Sequence, residues 1–376
     1  MTDRIHEFLR NRREDGPCLV LDLEIVRDNY TTFAKALPDT RVFYAVKANP
    51  DPQILELLVR LGSCFDTASV GEIEDVLAAG ASPDRISYGN TIKKERDIAR
   101  AFALGVRLFA VDCEAEVEKI ARAAPGSKVF CRLLCEGSGA EWPLSRKFGC
   151  APSMAPRVLE HAHRLGLTAY GLSFHVGSQQ HNPKSWDASL KASAAIFRDL
   201  AERGINLQMV NLGGGFPTKY LKDVPAVKTY AQAIFKALRK HFGNRIPETI
   251  IEPGRGMVGN AGIIEAEVVL ISKKSDDDRV KWVYLDIGKF NGLAETMDEM
   301  IRYRIRTPFD GDRMEPCVIA GPSCDSVDVL YEKEPYLLPV SLEIGSKVLI
   351  EGTGAYTTTY STVGFNGFPP LKSYVI

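Results

Sequence analysis

Several things are missing from this sequence, and each absence closes off a class of function. No apolar run approaches the roughly 18 residues that a membrane-crossing helix needs. Positive charge is not in surplus: 47 Lys and Arg stand against 48 Asp and Glu, a net charge of −1, which leaves nothing to neutralise a nucleic-acid backbone. The eight cysteines, at 18, 64, 113, 131, 135, 150, 317 and 324, form no CxxC and no His-linked zinc spacing, so they read as reduced thiols. There is no GxxxxGK[ST] loop for a triphosphate, and no glycine fingerprint of a dinucleotide site after the first apolar strand. The opening residues, MTDRIHEFLRNRREDG, are charged throughout and lack the apolar core of a secretory leader. A cytoplasmic location is the expectation that follows from the leader-less start and the free thiols.

What is present is alternation. Short β-favouring runs (RVFYAV to 46, SCFDT near 65, RISYG near 88, RLFAV near 109, KVFCRLL near 132) recur at intervals that fit one strand plus one helix. AYGLSFHV, LQMVNL and ETIIEP follow at wider intervals. Between them DPQILELLVRLG and VGEIEDVLAAG carry apolar residues at spacings of three and four and close on glycine, the pattern of amphipathic helices. Eight strands alternating with helices predict an α/β fold, a (β/α)8 TIM-type barrel over residues 24–260. Beyond it GIIEAEVVLISKK, VKWVYLDIG, PCVIAGP, YLLPVSLEIGSKVLIEGTG and AYTTTYSTVGF are strand-like and broken by Gly, Pro and Asp, which predicts an antiparallel β domain over 261–376. The segment 1–23 contains PCLVLDL, a strand with no helix of its own, and is expected to pack on that β domain.

In such a barrel chemistry sits where the strands end. Those ends hold Lys47, Asp66, His175, the run Gly213, Gly214 and Gly215, and Glu252 followed by Pro-Gly-Arg255. Singly each has a bland explanation: a strand-end lysine usually reaches for solvent, a lone histidine is usually a bonded core residue, an aspartate caps a helix and glycines make turns. Together they place a cation, two carboxylates, an imidazole and an anion-accepting backbone at one mouth. Bare glycine N–H groups with Arg255 suit a phosphate. A desolvated lysine suits attack on an aldehyde. Phosphate plus aldehyde is the chemistry of pyridoxal 5'-phosphate, whose pyridine nitrogen also needs a carboxylate, here Glu252.

FYAVKANP, FDTASVGEI, WPLSRKFG, SFHVGSQ, NLGGGFP, EPGR, GPSCDSVD and GAYTTTYSTVGFNGF occur in the order and spacing of the ornithine/lysine decarboxylases in the alanine-racemase-like (fold type III) class of pyridoxal phosphate enzymes. The chain resembles that family along nearly its whole length. The resemblance implies that Lys47 binds the cofactor aldehyde, with Asp66 and Glu72 beside it. His175 would stack on the ring, while Ser178, the three glycines, Arg255 and Tyr356 would hold the phosphate. Phe365 would line the site. The segment GPSCDSVD resembles the one lent across a dimer interface, where Cys324 protonates the product carbon and Asp325 grips the distal amine. A homodimer with shared active sites is therefore expected, acting on L-ornithine and, second, on L-lysine, with no nucleic-acid or membrane partner and no metal.

One position departs from the family pattern: many eukaryotic members carry an arginine where Pro143 aligns. Glu295 is the candidate for the second distal-amine carboxylate. Two rivals are set aside on residues. Diaminopimelate decarboxylases usually carry Glu after the cysteine, whereas this chain has Asp325; a non-catalytic homologue has no need of Lys47, the glycines or Cys324, all of which are kept.

Overall fold

The structure is a computed structural model and describes residues 2–135, 137–142 and 146–376. It divides into two compact units: one of residues 27–217 and 224–256, the other of residues 1–26, 218–223 and 257–376.

The first unit is a closed barrel of eight parallel strands, Thr40–Ala45, Cys64–Thr67, Ile86–Tyr88, Leu108–Val111, Lys128–Leu133, Thr168–Phe174, Met209–Asn211 and Glu248–Ile251. The last pairs with the first, Ile251 opposite Val42, which closes the ring and removes every sheet edge. All eight predicted runs are strands. The helices between them start and stop where local chemistry dictates: Asp51 and Ser69 accept N–H bonds at the starts of Pro52–Arg60 and Val70–Ala78, and Gly80, at φ 97°, ends the latter in a conformation that side chains resist. Phe43, Cys64, Ala110, Phe130, Tyr170, Met209 and Ile250 fill the interior as a single buried cluster.

One element of this unit is not evident from the sequence pattern. Ala140–Trp142 pairs antiparallel with Ser178–Gln180, and His181 Nε2 lies 2.9 Å from Glu141 beside that ladder. The strands are too short to show a period of two.

The second unit is a mixed sheet, in the order Arg304–Arg306, Lys347–Glu351, Gly262–Ser272, Lys281–Leu285, Met314–Ala320, Val329–Pro339. Most pairings are antiparallel; Lys281–Leu285 and Met314–Ala320 run parallel. The strand Cys18–Leu21 joins Gly262–Ser272 antiparallel and Lys372–Val375 parallel. AYTTTYSTVGF, expected as a strand, is a run of turns instead. Its hydroxyls bond backward to the backbone, Thr357 Oγ1 to the Thr353 carbonyl and Ser361 Oγ to the Thr357 carbonyl, each at 2.9 Å, and so compete with a ladder. Tyr356 (φ 57°) and Gly364 (φ 73°) bend the chain out of extension.

Candidate active site

Side chains alternate along a strand, so a residue two places beyond an interior one also faces the barrel axis. Two places beyond Phe43, Cys64, Ala110, Phe130, Met209 and Ile250 come Ala45, Asp66, Asp112, Arg132, Asn211 and Glu252. The sixth strand contributes Ser173, paired with both Arg132 and Asn211, and then His175. The apolar plug of the barrel therefore gives way, within one layer, to a polar ring at the strand ends.

Lys47 stands two residues past Ala45. From the sequence the first strand was expected to end at this lysine; the structure ends the strand at Ala45 and places Lys47 in a short 3-10 turn, Val46–Ala48, with an exposed side chain. The turn lifts it above the polar layer, so the lysine is not a cation sunk among apolar groups. Its charge nevertheless acts on Asp66, Glu72 and His175, which places all four in one electrostatic neighbourhood.

Burial holds the Asp66 carboxyl well above its ordinary range, repulsion from Glu252 adds to this, and Lys47 opposes it. Ser87 Oγ donates to Asp66 Oδ1 at 3.2 Å, and Gly89 lies so close that a Cβ there would fall 1.9 Å from the same oxygen. Glu72 is pushed up by burial, against an N–H bond of 2.6 Å from Ala68 and the pull of Lys47.

His175 is held neutral in two independent ways. Loss of hydration lowers its pKa well below the usual histidine value, with the positive charges of Arg132 and Lys47 adding to the effect. The Gly177 N–H donates to Nδ1 at 3.0 Å, which fixes the tautomer with the proton on Nε2. A flat, uncharged ring results.

Asn211 was not among the residues singled out from the sequence. Its Nδ2 donates to Glu252 Oε1 and its Oδ1 accepts from the Gly213 N–H at 2.9 Å, so one amide orients both the carboxylate and the start of the glycine run. The signal was available: Asn211 sits two residues before Gly213, on the interior face. Gly213 and Gly215 have φ of 66° and 99°. A Cβ on Gly214 would lie 2.6 Å from the Glu252 carbonyl and 3.2 Å from His175 Nε2, so a side chain would fill the space between these two residues. The N–H groups of Gly214 and Gly215 donate to no described residue. Buried Arg255 donates through Nε and Nη2 to Ser178 Oγ at 3.3 and 3.2 Å. Bare N–H groups, a buried guanidinium and a hydroxyl in one short stretch are the donor set that a phosphate monoester requires.

The other candidates belong to the β unit. The Cys324 N–H donates to Asn366 Oδ1 at 2.7 Å, Asp325 Oδ1 accepts from the Val327 N–H at 2.9 Å, and the ring of Phe365 packs on Phe290 with centroids 4.7 Å apart. The residue that assembles these loops is Asp328, buried and overlooked at the end of GPSCDSVD. Its carboxylate accepts from the N–H groups of Lys289 and Ser323 and from Ser323 Oγ, at 2.7, 3.1 and 2.5 Å. Gly288 and Gly321 crowd the same oxygens, and a Cβ on either would come within 2.5 Å of them. Glu295 is buried within Ala294–Glu299, and Tyr356 holds a positive φ. Pro143 lies outside the described residues. Among the described residues no cluster of His, Cys, Asp and Glu is arranged to hold a metal, and no helix is long and apolar enough to cross a membrane.

The model of a family described as "Pyridoxal-dependent decarboxylase, pyridoxal binding domain" matches residues 23–259, a span that contains every strand of the barrel. The chain belongs to the pyridoxal-dependent decarboxylases. The lysine/ornithine decarboxylase of Selenomonas ruminantium is 35% identical over 359 residues, covering 95% of this chain and 88% of the relative. A crystal structure of SrLDC in complex with PLP and cadaverine superposes with a TM-score of 0.89 at 33% identity, covering 100% of this chain and 94% of that one. The lysine/ornithine decarboxylase of Vibrio vulnificus, crystallised with cadaverine, gives a TM-score of 0.89 at 31% identity over 100% and 99% of the two chains. The cofactor of this pyridoxal-dependent decarboxylase is pyridoxal 5'-phosphate, and the groups described at the barrel mouth fit its chemistry: bare N–H groups beside a buried guanidinium, an amine, a carboxylate and an uncharged imidazole.

Proposed function

We propose that this protein decarboxylates L-ornithine to putrescine, with L-lysine to cadaverine as a second activity. The observation that carries the reading is the polar layer at the strand ends, where a carboxylate oriented by Asn211 and a neutral imidazole adjoin a phosphate-type donor set, with the charge of Lys47 acting on the same neighbourhood. Relatives named for lysine and ornithine, and neighbours crystallised with cadaverine, support the substrate class.

When bound, the cofactor supplies an electron-withdrawing ring that takes up the electron pair left as CO2 departs. Glu252 keeps a proton on the ring nitrogen and so strengthens that withdrawal; an arginine there, as in the alanine racemases, would weaken it. Neutral His175 would lie against the ring without adding a competing charge. Lys47 would hold the cofactor through its aldehyde, and its amine is the group that the substrate amine would replace. The charge of Lys47 favours the ionised forms of Asp66 and Glu72, against the burial that raises both. The Cys324 thiol delivers a proton to the former α-carbon, and Asp325 pairs with the distal ammonium, which would otherwise be left uncompensated at a cost of several kcal/mol. We assign Cys324 and Asp325 to the active site of a second copy of the chain. Val327 on that loop, and Tyr360 and Val363 on the segment leading to Asn366, which accepts from the Cys324 N–H, are exposed apolar residues, which supports burial against a partner.

Initial rates with ornithine, lysine, arginine and diaminopimelate, each with the diamine or amine product quantified, test the assignment. Ornithine should be the fastest and lysine second, since one methylene is worth only about 1–3 kcal/mol of discrimination. A faster reaction with diaminopimelate would overturn it. Mixing Lys47→Ala with Cys324→Ala tests the shared site: part of the lost activity should return, and no recovery in a proven mixed dimer refutes sharing.

A further inference from the structure

The segment AETMDE, residues 294–299, carries three acids in three different settings. Asp298 is exposed and lies 3.4 Å from the exposed Lys333, and Glu295 is buried. Glu299 is 11% exposed, and its carboxylate is surrounded by donors. The Glu332 and Lys333 N–H groups donate to Oε1, the first at 2.7 Å, while the Glu334 N–H and Arg302 Nη1 donate to Oε2 at 3.2 and 2.8 Å. Successive N–H groups of a regular strand point to opposite sides and cannot meet one acceptor. Here they do, because Val329–Pro339, the last strand in its sheet, bulges: Cys317 pairs with Tyr336 and Ile319 with Tyr331, so a step of two residues on one strand faces a step of five on the other. The bulge gathers the three donors into a small anion-accepting concavity. Burial opposes the charge on Glu299, but these bonds and Arg302 outweigh it and hold its pKa below the ordinary carboxylate value.

The chain bends sharply to reach this concavity. Asp298 and Glu299 hold φ of 53° and 60°, two consecutive left-handed residues that are not glycine, a conformation that side chains resist. Such strain persists only where surrounding contacts over-determine it, and the Glu299 carboxylate makes those contacts. The bend also closes the turn before it. The Ile301 N–H donates to the Glu295 carbonyl at 3.1 Å across the kink, and Thr296 donates to the Leu293 carbonyl through its N–H and Oγ1 at 3.0 and 2.7 Å. The anchored carboxylate and the Glu295 backbone are therefore parts of one closed turn. A carboxylate offers about four acceptor sites. Four donors already meet that of Glu299, so it does not serve a substrate ammonium directly. We propose that Glu299 is a positioning residue for the distal-amine end of the substrate site, holding the turn that carries Glu295. The inference rests on the reaction proposed above and on Glu295 as the second distal-amine carboxylate.

The test is a double-mutant cycle on the holoenzyme. Glu299→Ala should raise the ornithine KM about tenfold, with kcat and cofactor affinity within about threefold of the parent, since the groups around the cofactor are untouched. Glu299→Gln, which keeps one acceptor oxygen, should recover part of the KM. Glu295→Ala should raise the KM at least as far, and adding Glu299→Ala to it should change little, because one residue acts through the other. A parent-like KM in folded Glu299→Ala, or in Glu295→Ala, would overturn the proposal. So would independent, multiplying effects in the double variant, or a joint loss of kcat and cofactor affinity, which marks a general structural role. If circular dichroism shows Glu299→Ala unfolded, the cycle is run with Glu299→Gln and decides on the same KM. A parent protein that forms a diamine from neither ornithine nor lysine would sink the proposed function instead, and so distinguishes the two failures.

Discussion

The two units of this protein hold their candidate residues by opposite means. In the barrel the candidates continue strands whose apolar part is a packed core. Asp66, Asn211, Arg132 and Glu252 stand where they do because Cys64, Met209, Phe130 and Ile250 are buried below them. In the β unit the candidates Cys324, Asp325 and Phe365 lie on loops, where the buried Asp328 carboxylate ties Ser323 to Lys289 and single contacts to Asn366, Val327 and Phe290 hold the candidates themselves. A site on strands inherits its precision from the core, whereas a site on loops needs a dedicated polar anchor.

The strongest way to break this comparison is Lys47→Ala. Activity should fall below detection and borohydride trapping should vanish, while melting temperature holds, because an exposed turn lysine contributes nothing to the core. Cys324→Ala comes next: diamine formation should slow by about 10²–10⁴-fold, the range of a lost general acid, with cofactor affinity unchanged. An undiminished rate of diamine formation removes the thiol from the chemistry.

Asp328→Ala sharpens the contrast. It strands two N–H donors and a hydroxyl in a crowded pocket, and should cost about 3 kcal/mol in urea unfolding of the β unit. Turnover should drop as in Cys324→Ala. Asp328→Asn, which keeps an acceptor in the same shape, should retain more of both. An Ala variant with full turnover would show that the loops do not depend on this anchor.

The smallest effect runs in the opposite direction. The native pKa of Asp66 is raised, so between its ordinary value of 3.8 and its native value the folded state holds a proton that the unfolded state has lost. Stability therefore falls as pH rises through that window. Asp66→Asn removes this penalty, and each pH unit between the ordinary and the native pKa corresponds to about 1.4 kcal/mol. The variant should accordingly melt at a higher temperature than the parent at pH 7, with the two converging below pH 4. The same change should impair catalysis. A variant less stable than its parent at pH 7 would mean that Asp66 is stabilising when charged.

How much of this was legible in the residues follows the same division. Strand ends in a barrel are predictable from a period of two and from short apolar runs, so Asp66, His175 and Glu252 could be found from spacing. Asn211 and Arg132 obey the same rule and were passed over, because an amide and one arginine among many carry no chemical signature by themselves. Loop residues lack a period altogether. AYTTTYSTVGF has strand-forming residues in plenty, yet its hydroxyls satisfy the backbone locally and the chain turns.

The sequence by itself determined the alternation of strand and helix, the change of texture near residue 260, and the residue types at each strand end, because these depend on periodicity and on chemistry carried by single side chains. Only the tertiary structure decided that Asp328 gathers the Cys324 loop, that Asn211 steers Glu252, and that Arg132 lies over Phe148 with no ion pair to a described residue. Each of these is a relation between groups distant along the chain, and closing the barrel or folding the sheet is what first brings such groups within reach of a hydrogen bond or leaves one of them without it.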